Sequence, residues 1–218
     1  MILICFAVKE EAQFFKPEDF SSRPVQMLLT GIGKSNAEKA IRNVVADQTP
    51  ALVLSCGFAG GLRPELPSGS VVFDVDPETP LRPILISAGA VPVKFHCVER
   101  IVTTAREKQA LCQKVGADAV EMESRIICDI CRSKQIPSAT VRVILDSADQ
   151  DLPLDFNLVM NSEQKIEYSR LAVTLAKSPG KIPELLRLQR QSSAAAKRLA
   201  DVLTSVLTQL KLSEDRGN

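Results

Sequence analysis

The alternation of short apolar runs with longer amphipathic segments constrains the fold of this chain more than any other feature. The run ALVLSC, residues 51–56, is apolar almost throughout, as is typical of a strand that is covered on both faces. Residues 36–46 instead carry their apolar side chains at helical spacing. Strands that alternate with helices predict an α/β fold, with three layers (α/β/α) around a central mixed, mostly parallel sheet.

The predicted elements follow one another along the whole chain. Apolar runs predict strands at residues 1–8, 24–30, 51–56, 69–75, 83–87, 117–120 and 137–145. Amphipathic segments predict helices that begin near Lys9 and cover residues 36–46, 106–115 and 122–134, with further helices toward the end. We predict a glycine-rich turn at residues 57–62 and a proline-rich loop at residues 76–83. The 218 residues are 45% hydrophobic, so we expect a single domain, 1–218, that includes C-terminal helices at 160–211.

Composition excludes several classes of function. The net charge is +1, tryptophan is absent and Tyr168 is the single tyrosine, which argues against a nucleic-acid-binding surface. The apolar run at residues 1–8 is too short to span a membrane. Six cysteines lie mostly in apolar runs, and Cys128 and Cys131 have a spacing that fits packing on one helix face. We therefore expect a cytoplasmic protein with reduced cysteines, no metal and no cofactor.

Acidic residues and glycines cluster directly after the predicted strands. Because catalytic groups in such sheets lie at the carboxyl ends of strands, this clustering indicates a functional site. Its members are Glu11, Gly31, the glycines of 57–61, Glu121, Glu123 and Asp146. The alternative is that some of them only form turns or cap helices, as the DSAD sequence at Asp146 could do.

Five motifs in the same order resemble those of nucleoside phosphorylases and nucleosidases. They are AVKEEA (7–12), TGIGKSNA (30–37), CGFAGGL (56–62), AVEMES (119–124) and VRVILDSADQ (141–150). The match is strongest to the nucleosidases that act on methylthioadenosine and S-adenosylhomocysteine. The resemblance implies a nucleoside phosphorylase-like fold, a nucleoside substrate, and a homodimer or higher homo-oligomer.

The resemblance also implies a role for each acid. Asp146 would protonate the departing purine, which requires a raised pKa. Glu123 would bind the ribose 2′ and 3′ hydroxyls, because a carboxylate can accept both. Met122 would pack on the sugar unless it is only a core residue. Glu121 would point the other way if the segment is extended there, and would then support the site. Further substrate contacts would come from Gly31, Phe58, Ala59 and Gly60.

The nucleophile is water or phosphate. Glu11 matches the acid that activates water in hydrolytic relatives, although a slip of one residue would select Glu10 instead. Phe58 stands where phosphate-binding relatives have serine, and Arg42 and Arg63 do not match their phosphate-binding arginines. Without such partners a phosphate dianion would be held poorly, so hydrolysis is favoured over phosphorolysis. A non-catalytic nucleoside-binding module is a third alternative.

Two features bear on the substrate. Residues 175–199 resemble the C-terminal part of hopanoid-associated phosphorylases, which are taken to remove adenine from an adenosyl-hopane lipid. Residues 181–211 contain six basic and two acidic residues, with leucines at helical spacing. This helix either covers the sheet or rests on an anionic membrane.

The adenine-binding segment of the nucleosidases is not recognisable at residues 100–109, and Leu145 replaces their serine. We hypothesise a pocket opened for a bulky 5′ group.

Overall fold

A computed structural model describes residues 1–20, 24–75 and 79–215 of the protein, with side chains as far as residue 210. The strands are β1 (Ile2–Phe6), β2 (Val25–Leu29), β3 (Leu52–Gly61), β4 (Val71–Asp74), β5 (Val91–Pro92), β6 (Phe95–Cys97), β7 (Ala119–Glu121) and β8 (Ser138–Asp146). The helices are α1 (Lys9–Ala12), α2 (Lys34–Asp47), α3 (Leu81–Ser87), α4 (Ala105–Val115), α5 (Ser124–Ser133), α6 (Tyr168–Lys177) and α7 (Ile182–Asp215). Short 3₁₀ helices lie at Pro17–Phe20, Phe156–Leu158 and Pro179–Lys181.

The strands form one mixed sheet, in the order β2-β1-β3-β8-β4-β5, with β7 on β3 and β6 on β7. The four strands β2, β1, β3 and β8 run parallel, whereas β4 is antiparallel to β8 and β7 is antiparallel to β3. The parallel strands therefore end at the same edge of the sheet. The predicted mixed, mostly parallel sheet is confirmed.

Helices cover both faces of the sheet. On one face, Phe6, Leu54 and Val143 pack against residues of α1, α3 and α7. On the other face, Leu3 and Val53 pack against residues of α2 and α5. Neighbouring residues of each parallel strand thus enter different cores, which explains why ALVLSC is apolar at nearly every position. The three-layer α/β/α architecture is confirmed.

The long helix α7 differs along its length. Its later part buries Leu199, Leu203 and Val206 against the sheet, whereas Leu186 is 50% exposed. The prediction that this helix covers the sheet is therefore confirmed only for its C-terminal half. No helix within the described ranges is both long and apolar enough to cross a bilayer. All six cysteines are free, as expected, and the cytoplasmic location stays a prediction.

Two predicted elements are wrong. Residues 83–87 belong to α3 and not to a strand, because Leu81 and Leu85, four residues apart, both enter the core. Pro83 is tolerated because it lies in the first turn, where the backbone N–H has no helical partner. The glycine-rich segment 57–61 is not a turn, since it continues β3 to Gly61. Part of the proline-rich loop, residues 76–78, lies outside the described residues.

Candidate active site

The candidate acids lie at the edge of the sheet where the parallel strands end. Glu11 is in α1, three residues after the loop that follows β1, and Asp146 is the last residue of β8. Glu123 lies two residues after the end of β7 and is the N-cap residue of α5. All three carboxylates are buried, with only 6% of each residue exposed to solvent.

Glu11 is fixed by backbone N–H groups. Its Oε2 accepts hydrogen bonds from the amides of Ala7 (2.8 Å) and Val8 (3.2 Å), and its Oε1 accepts one from the amide of Phe58 (2.8 Å). The neighbouring Glu10 is exposed. The structure therefore directs Glu11, and not Glu10, into the interior.

A buried arginine, Arg142 of β8, gathers the glutamates. Its Nη2 lies 2.7 Å from Oε2 of Glu121 and 3.4 Å from Oε2 of Glu123. Its Nη1 donates to the carbonyl of Cys56 at 2.6 Å. A Cβ at Gly57 would collide with both Arg142 and Glu11, so the missing side chain of this glycine lets the two groups approach each other.

The expectation that Glu121 points away from Glu123 is wrong, because both carboxylates approach the same guanidinium nitrogen. The strand alternation on which that expectation rests ends at Glu121, the last residue of β7. Glu121 also accepts the backbone N–H groups of Glu123 (2.9 Å) and Ser124 (2.7 Å). It thus fixes the turn that presents Glu123, and its second oxygen contacts the thiol of Cys97.

The three glutamates of this cluster differ in pKa. Burial raises the pKa of Glu123 to about 7, aided by repulsion from Glu121 and Glu11 and opposed by Arg142 and the Gly33 N–H. Burial also raises the pKa of Glu11, against the opposing effects of Arg142 and the Phe58 N–H. At Glu121 burial acts in the same direction, but Arg142, the Cys97 thiol and the N–H groups of Ser124 and Glu123 together outweigh it and hold the pKa below its usual value. Glu121 is therefore the ionised partner of Arg142 at neutral pH.

Asp146 has a separate cationic partner, Lys108 of α4. The carboxylate Oδ2 forms an ion pair with Lys108 Nζ, and both side chains are buried. The contact lacks good hydrogen-bond geometry, and Oδ2 has no hydrogen-bond partner among the described residues. Burial raises the pKa of Asp146, while Lys108 opposes that rise.

The predicted substrate-contact residues lie in different settings. Phe58 and Met122 are half-buried, and Gly60 lies beside Asp146 with no side chain between them. The N–H of Gly31 donates to the carbonyl of Ala7 at 3.0 Å, which joins the first glycine turn to the Glu11 loop. Ala59 packs in an apolar cluster with Ile144.

Two hollows are lined by residues next in sequence to the acids, but not by Glu11, Glu123 or Asp146 themselves. One, of about 500 Å³, is lined by the residues that follow Asp146, including Ser147 and Gln150, and by Arg187 and Gln191 of α7. The other, of about 320 Å³, is lined by Met122, Cys97 and Lys34 among others. Burial and Glu121 raise the pKa of the Cys97 thiol to about 12, which leaves it protonated and unreactive.

The two buried cations were missed in the sequence, although each leaves a signal there. Arg142 interrupts the apolar strand TVRVIL, and a charge in such a strand must be paired. Lys108 precedes Leu111 and Val115 by three and seven residues, which places it on the apolar face of α4. A buried cation in the sequence therefore predicts a carboxylate nearby.

Comparisons with known proteins bear on this geometry. Residues 89–176 match the family model described as "Phosphorylase superfamily". A 5′-methylthioadenosine/S-adenosylhomocysteine nucleosidase of Shewanella sediminis is 25% identical over 177 residues, which cover 66% of this chain and 77% of that protein. The corresponding protein of a Marinomonas species is 26% identical over 172 residues, which cover 63% and 74%. The resemblance to the nucleoside phosphorylase and nucleosidase family is confirmed.

Solved structures of this family share the fold. A Helicobacter pylori 5′-methylthioadenosine/S-adenosylhomocysteine nucleosidase superimposes with a TM-score of 0.68 and 18% identity, over 95% of this chain and 97% of that one. A futalosine hydrolase mutant from the same organism gives a TM-score of 0.66 and 18% identity, over 95% and 98%. The predicted nucleoside phosphorylase-like fold is confirmed.

Proposed function

We propose that this protein is a purine nucleosidase that hydrolyses the N-glycosidic bond of an adenosine-type nucleoside and releases adenine. The observation that carries the proposal is the placement of three buried carboxylates, Glu11, Glu123 and Asp146, at one edge of the sheet. Family members named as nucleosidases of methylthioadenosine and S-adenosylhomocysteine support the same reaction class.

Asp146 is the proposed general acid. Cleavage of the bond to a purine leaves electrons on the base, and a proton on its imidazole nitrogen neutralises them. An acid that keeps its proton near neutral pH needs a raised pKa, and burial at the end of β8 raises the pKa of Asp146.

Glu123 and Glu11 are assigned to the sugar and the water. Each oxygen of Glu123 already has one donor, Gly33 N–H or Arg142, and retains acceptor capacity for a ribose hydroxyl. Glu11 would accept a proton from the water that attacks the ribose carbon, once the bond to adenine has weakened. Its raised pKa brings its basicity closer to neutral pH, as general-base catalysis requires.

The position of Glu11 favours hydrolysis over phosphorolysis. Its Oε1 takes the backbone N–H of Phe58, a donor that a phosphate would need in this glycine-rich segment. A carboxylate at that place repels a phosphate dianion, although a protonated Glu11 would repel it less. Phosphorolysis by the same fold therefore remains the alternative.

The proposal is tested by incubating the protein with methylthioadenosine in phosphate-free buffer and assaying free adenine, free sugar and sugar phosphate. We expect adenine and free sugar in equal amounts, at a rate that added phosphate does not change. Sugar phosphate formed only with phosphate present would establish the phosphorylase, and nucleoside binding without cleavage would establish a non-catalytic module.

A matched pair of variants tests the assignment of the base. Glu11→Gln cannot accept the proton from water, so we expect kcat to fall roughly 10²- to 10⁴-fold. Glu10→Gln changes an exposed neighbour and should leave the rate unchanged. Equal losses in the two variants, or a loss only in Glu10→Gln, would contradict the assignment.

For the substrate, we propose a nucleoside whose 5′ group is a lipid, such as an adenosyl-hopanoid, collected at an anionic membrane surface. Residues 161–190 contain no buried side chain. Their exposed apolar residues are Ile166, Tyr168, Val173, Ile182 and Leu186, and basic residues such as Arg170, Arg187 and Arg190 accompany them. Apolar and basic side chains together are typical of interfacial helices. A homo-oligomer would be another way to cover this surface.

Binding to lipid vesicles distinguishes a membrane contact from a subunit interface at this exposed surface. Leu186→Asp should weaken sedimentation with vesicles that contain acidic lipids and leave cleavage of methylthioadenosine unchanged. The substitution is preferable to removal of α7, because Leu199 and Leu203 of that helix belong to the core. Equal sedimentation of wild type and variant would reject the membrane contact, and dissociation of an oligomer in the variant would assign the surface to a subunit interface.

A further inference from the structure

Lys108 is a lysine with no exposed surface that the proposed chemistry has not used so far. It lies in α4, whose neighbouring residues Leu111 and Val115 pack in an apolar cluster with Val120 of β7. A lysine is almost never fully buried unless its charge is paired. The groups that Lys108 contacts therefore indicate the role of its charge.

The ammonium group of Lys108 holds the segment that begins with Asp146. It donates to the carbonyl of Ser147 at 2.7 Å and to the carbonyl of Gln150 at 2.8 Å, and it forms the ion pair with Asp146. The ammonium group thus meets three oxygens from a stretch of five consecutive residues, two through hydrogen bonds and one through an ion pair. The lysine fixes both the acid and the loop that lines the larger hollow beside it.

We propose that Lys108 is a positioning residue for cleavage of the glycosidic bond, which orients Asp146 toward the purine and sets the pH range over which Asp146 can donate its proton. This inference rests on the proposed function of Asp146. Lys108 acts only through Asp146 and does not itself touch the substrate.

Lys108 is the dominant charge that Asp146 meets. Strand β3 presents Gly60 and β7 presents Val120 beside it, neither of which titrates. The following loop carries Asp149, which is exposed and accepts a hydrogen bond from the Ser147 hydroxyl, and α7 contributes Arg187 to the lining of the hollow. Neither of these charges is among the causes that shift the pKa of Asp146, whereas Lys108 opposes the rise that burial produces.

Loss of the Lys108 charge has two expected consequences. The pKa of Asp146 would rise further, since a neighbouring cation favours the carboxylate. The alkaline limb of the pH profile of kcat/KM would then move upward, because Asp146 keeps its proton to higher pH. At the same time kcat would fall, because Asp146 loses the ion pair that orients it.

Three variants separate charge from position. Lys108→Gln can still donate to the two carbonyls but carries no charge, Lys108→Arg keeps the charge, and Lys114→Gln alters an exposed lysine of the same helix as a control. For Lys108→Gln we expect the alkaline limb to move up by about one to three pH units, and kcat to fall about 10- to 100-fold with little change in KM. Lys108→Arg should restore the position of the limb, and Lys114→Gln should match wild type.

A readout that does not depend on activity completes the test. Carbon-13 NMR titration of the carboxyl group of Asp146, assigned with Asp146→Asn, should give a higher pKa in Lys108→Gln than in wild type and Lys108→Arg. The inference is overturned if folded Lys108→Gln shows no change in the alkaline limb of the pH profile and no change in the pKa of the Asp146 carboxyl group. If the wild type does not cleave nucleosides but the carboxyl pKa responds to Lys108, the proposed function fails while the pairing stands. Should Lys108→Gln fail to fold, wild type and Lys108→Arg must still share one carboxyl pKa, and a difference above one unit would contradict the role.

Discussion

The two buried cations of the site serve acids in different ways. Arg142 lies among three carboxylates, Glu11, Glu121 and Glu123, so that its cluster contains more acid than one positive charge can neutralise. Lys108 meets a single carboxylate, Asp146, and satisfies its remaining N–H groups with two backbone carbonyls. Arg142 is therefore shared among several acids, whereas Lys108 pairs with one acid.

This difference explains how one site can keep acids in different protonation states. In the Arg142 cluster, Glu121 lies closer to the arginine than Glu123 does and stays ionised, whereas burial raises the pKa values of Glu123 and Glu11 despite Arg142. At Lys108, burial and the single cation act against each other on one acid. Burial thus raises the pKa values of two acids that share Arg142, whereas Lys108 limits how far burial can raise the pKa of its single partner, Asp146.

The largest expected effect is on catalysis and concerns the pair formed by Lys108 and Asp146. Asp146→Asn keeps the shape of the side chain but cannot donate a proton, so kcat for adenine release should fall roughly 10²- to 10⁴-fold. Asp149→Asn, three residues later and exposed, is the matched control and should retain wild-type activity. A fall of less than tenfold in Asp146→Asn would remove this residue from the chemistry.

The next largest effect is on the stability of the fold and concerns Arg142, which several acids share. Arg142→Met leaves Glu121 without its ionic partner in the core, so the free energy of unfolding should fall by about 3–5 kcal/mol in urea titrations. Arg132→Met on the surface of α5, where the arginine is 78% exposed and pairs with Asp129, should change it by about 0.5 kcal/mol or less. Similar small changes in both variants would mean that the cluster does not depend on Arg142.

The smallest effect is a dependence of stability on pH. The pKa of Glu123 is about 7 in the folded protein against 4.5 for a free side chain, so between these values the native state holds a proton that the unfolded state has lost. Wild-type stability should therefore fall relative to Glu123→Gln as the pH rises from about 4.5 to 7, by up to about 3 kcal/mol. Urea midpoints at pH 5 and pH 8 measure this difference. Parallel curves for the two proteins would show that burial does not perturb Glu123.

Much of the fold could be predicted from the sequence because its helices and strands have clear periodicity. The runs that become β1, β3 and β8 are buried on both faces, and the motifs at the ends of β1, β7 and β8 identify Glu11, Glu123 and Asp146 as candidate acids. Segments that tertiary packing decides could not be predicted. Residues 83–87 contain strand-forming isoleucines but form a helix because Leu81 and Leu85 reach the core on one face.

The contacts within the site were less predictable than its members. The predicted direction of the Glu121 side chain was wrong because β7 ends at Glu121. Side chains alternate between the two faces only within a strand, so the alternation does not extend to Glu123. The pairing of Lys108 with Asp146 joins residues 38 positions apart and depends on how α4 packs beside β7. Sequence patterns identify a buried cation, but only the fold assigns its acid.

A crystal structure of the Asp146→Asn variant with methylthioadenosine would test whether Glu123 and residue 146 serve one nucleoside. We predict that the ribose 2′ and 3′ hydroxyls lie within hydrogen-bond distance of the Glu123 carboxylate, with the imidazole nitrogen of adenine facing residue 146 and a water molecule on Glu11. A nucleoside bound away from Glu123, or one whose base faces away from residue 146, would contradict the account.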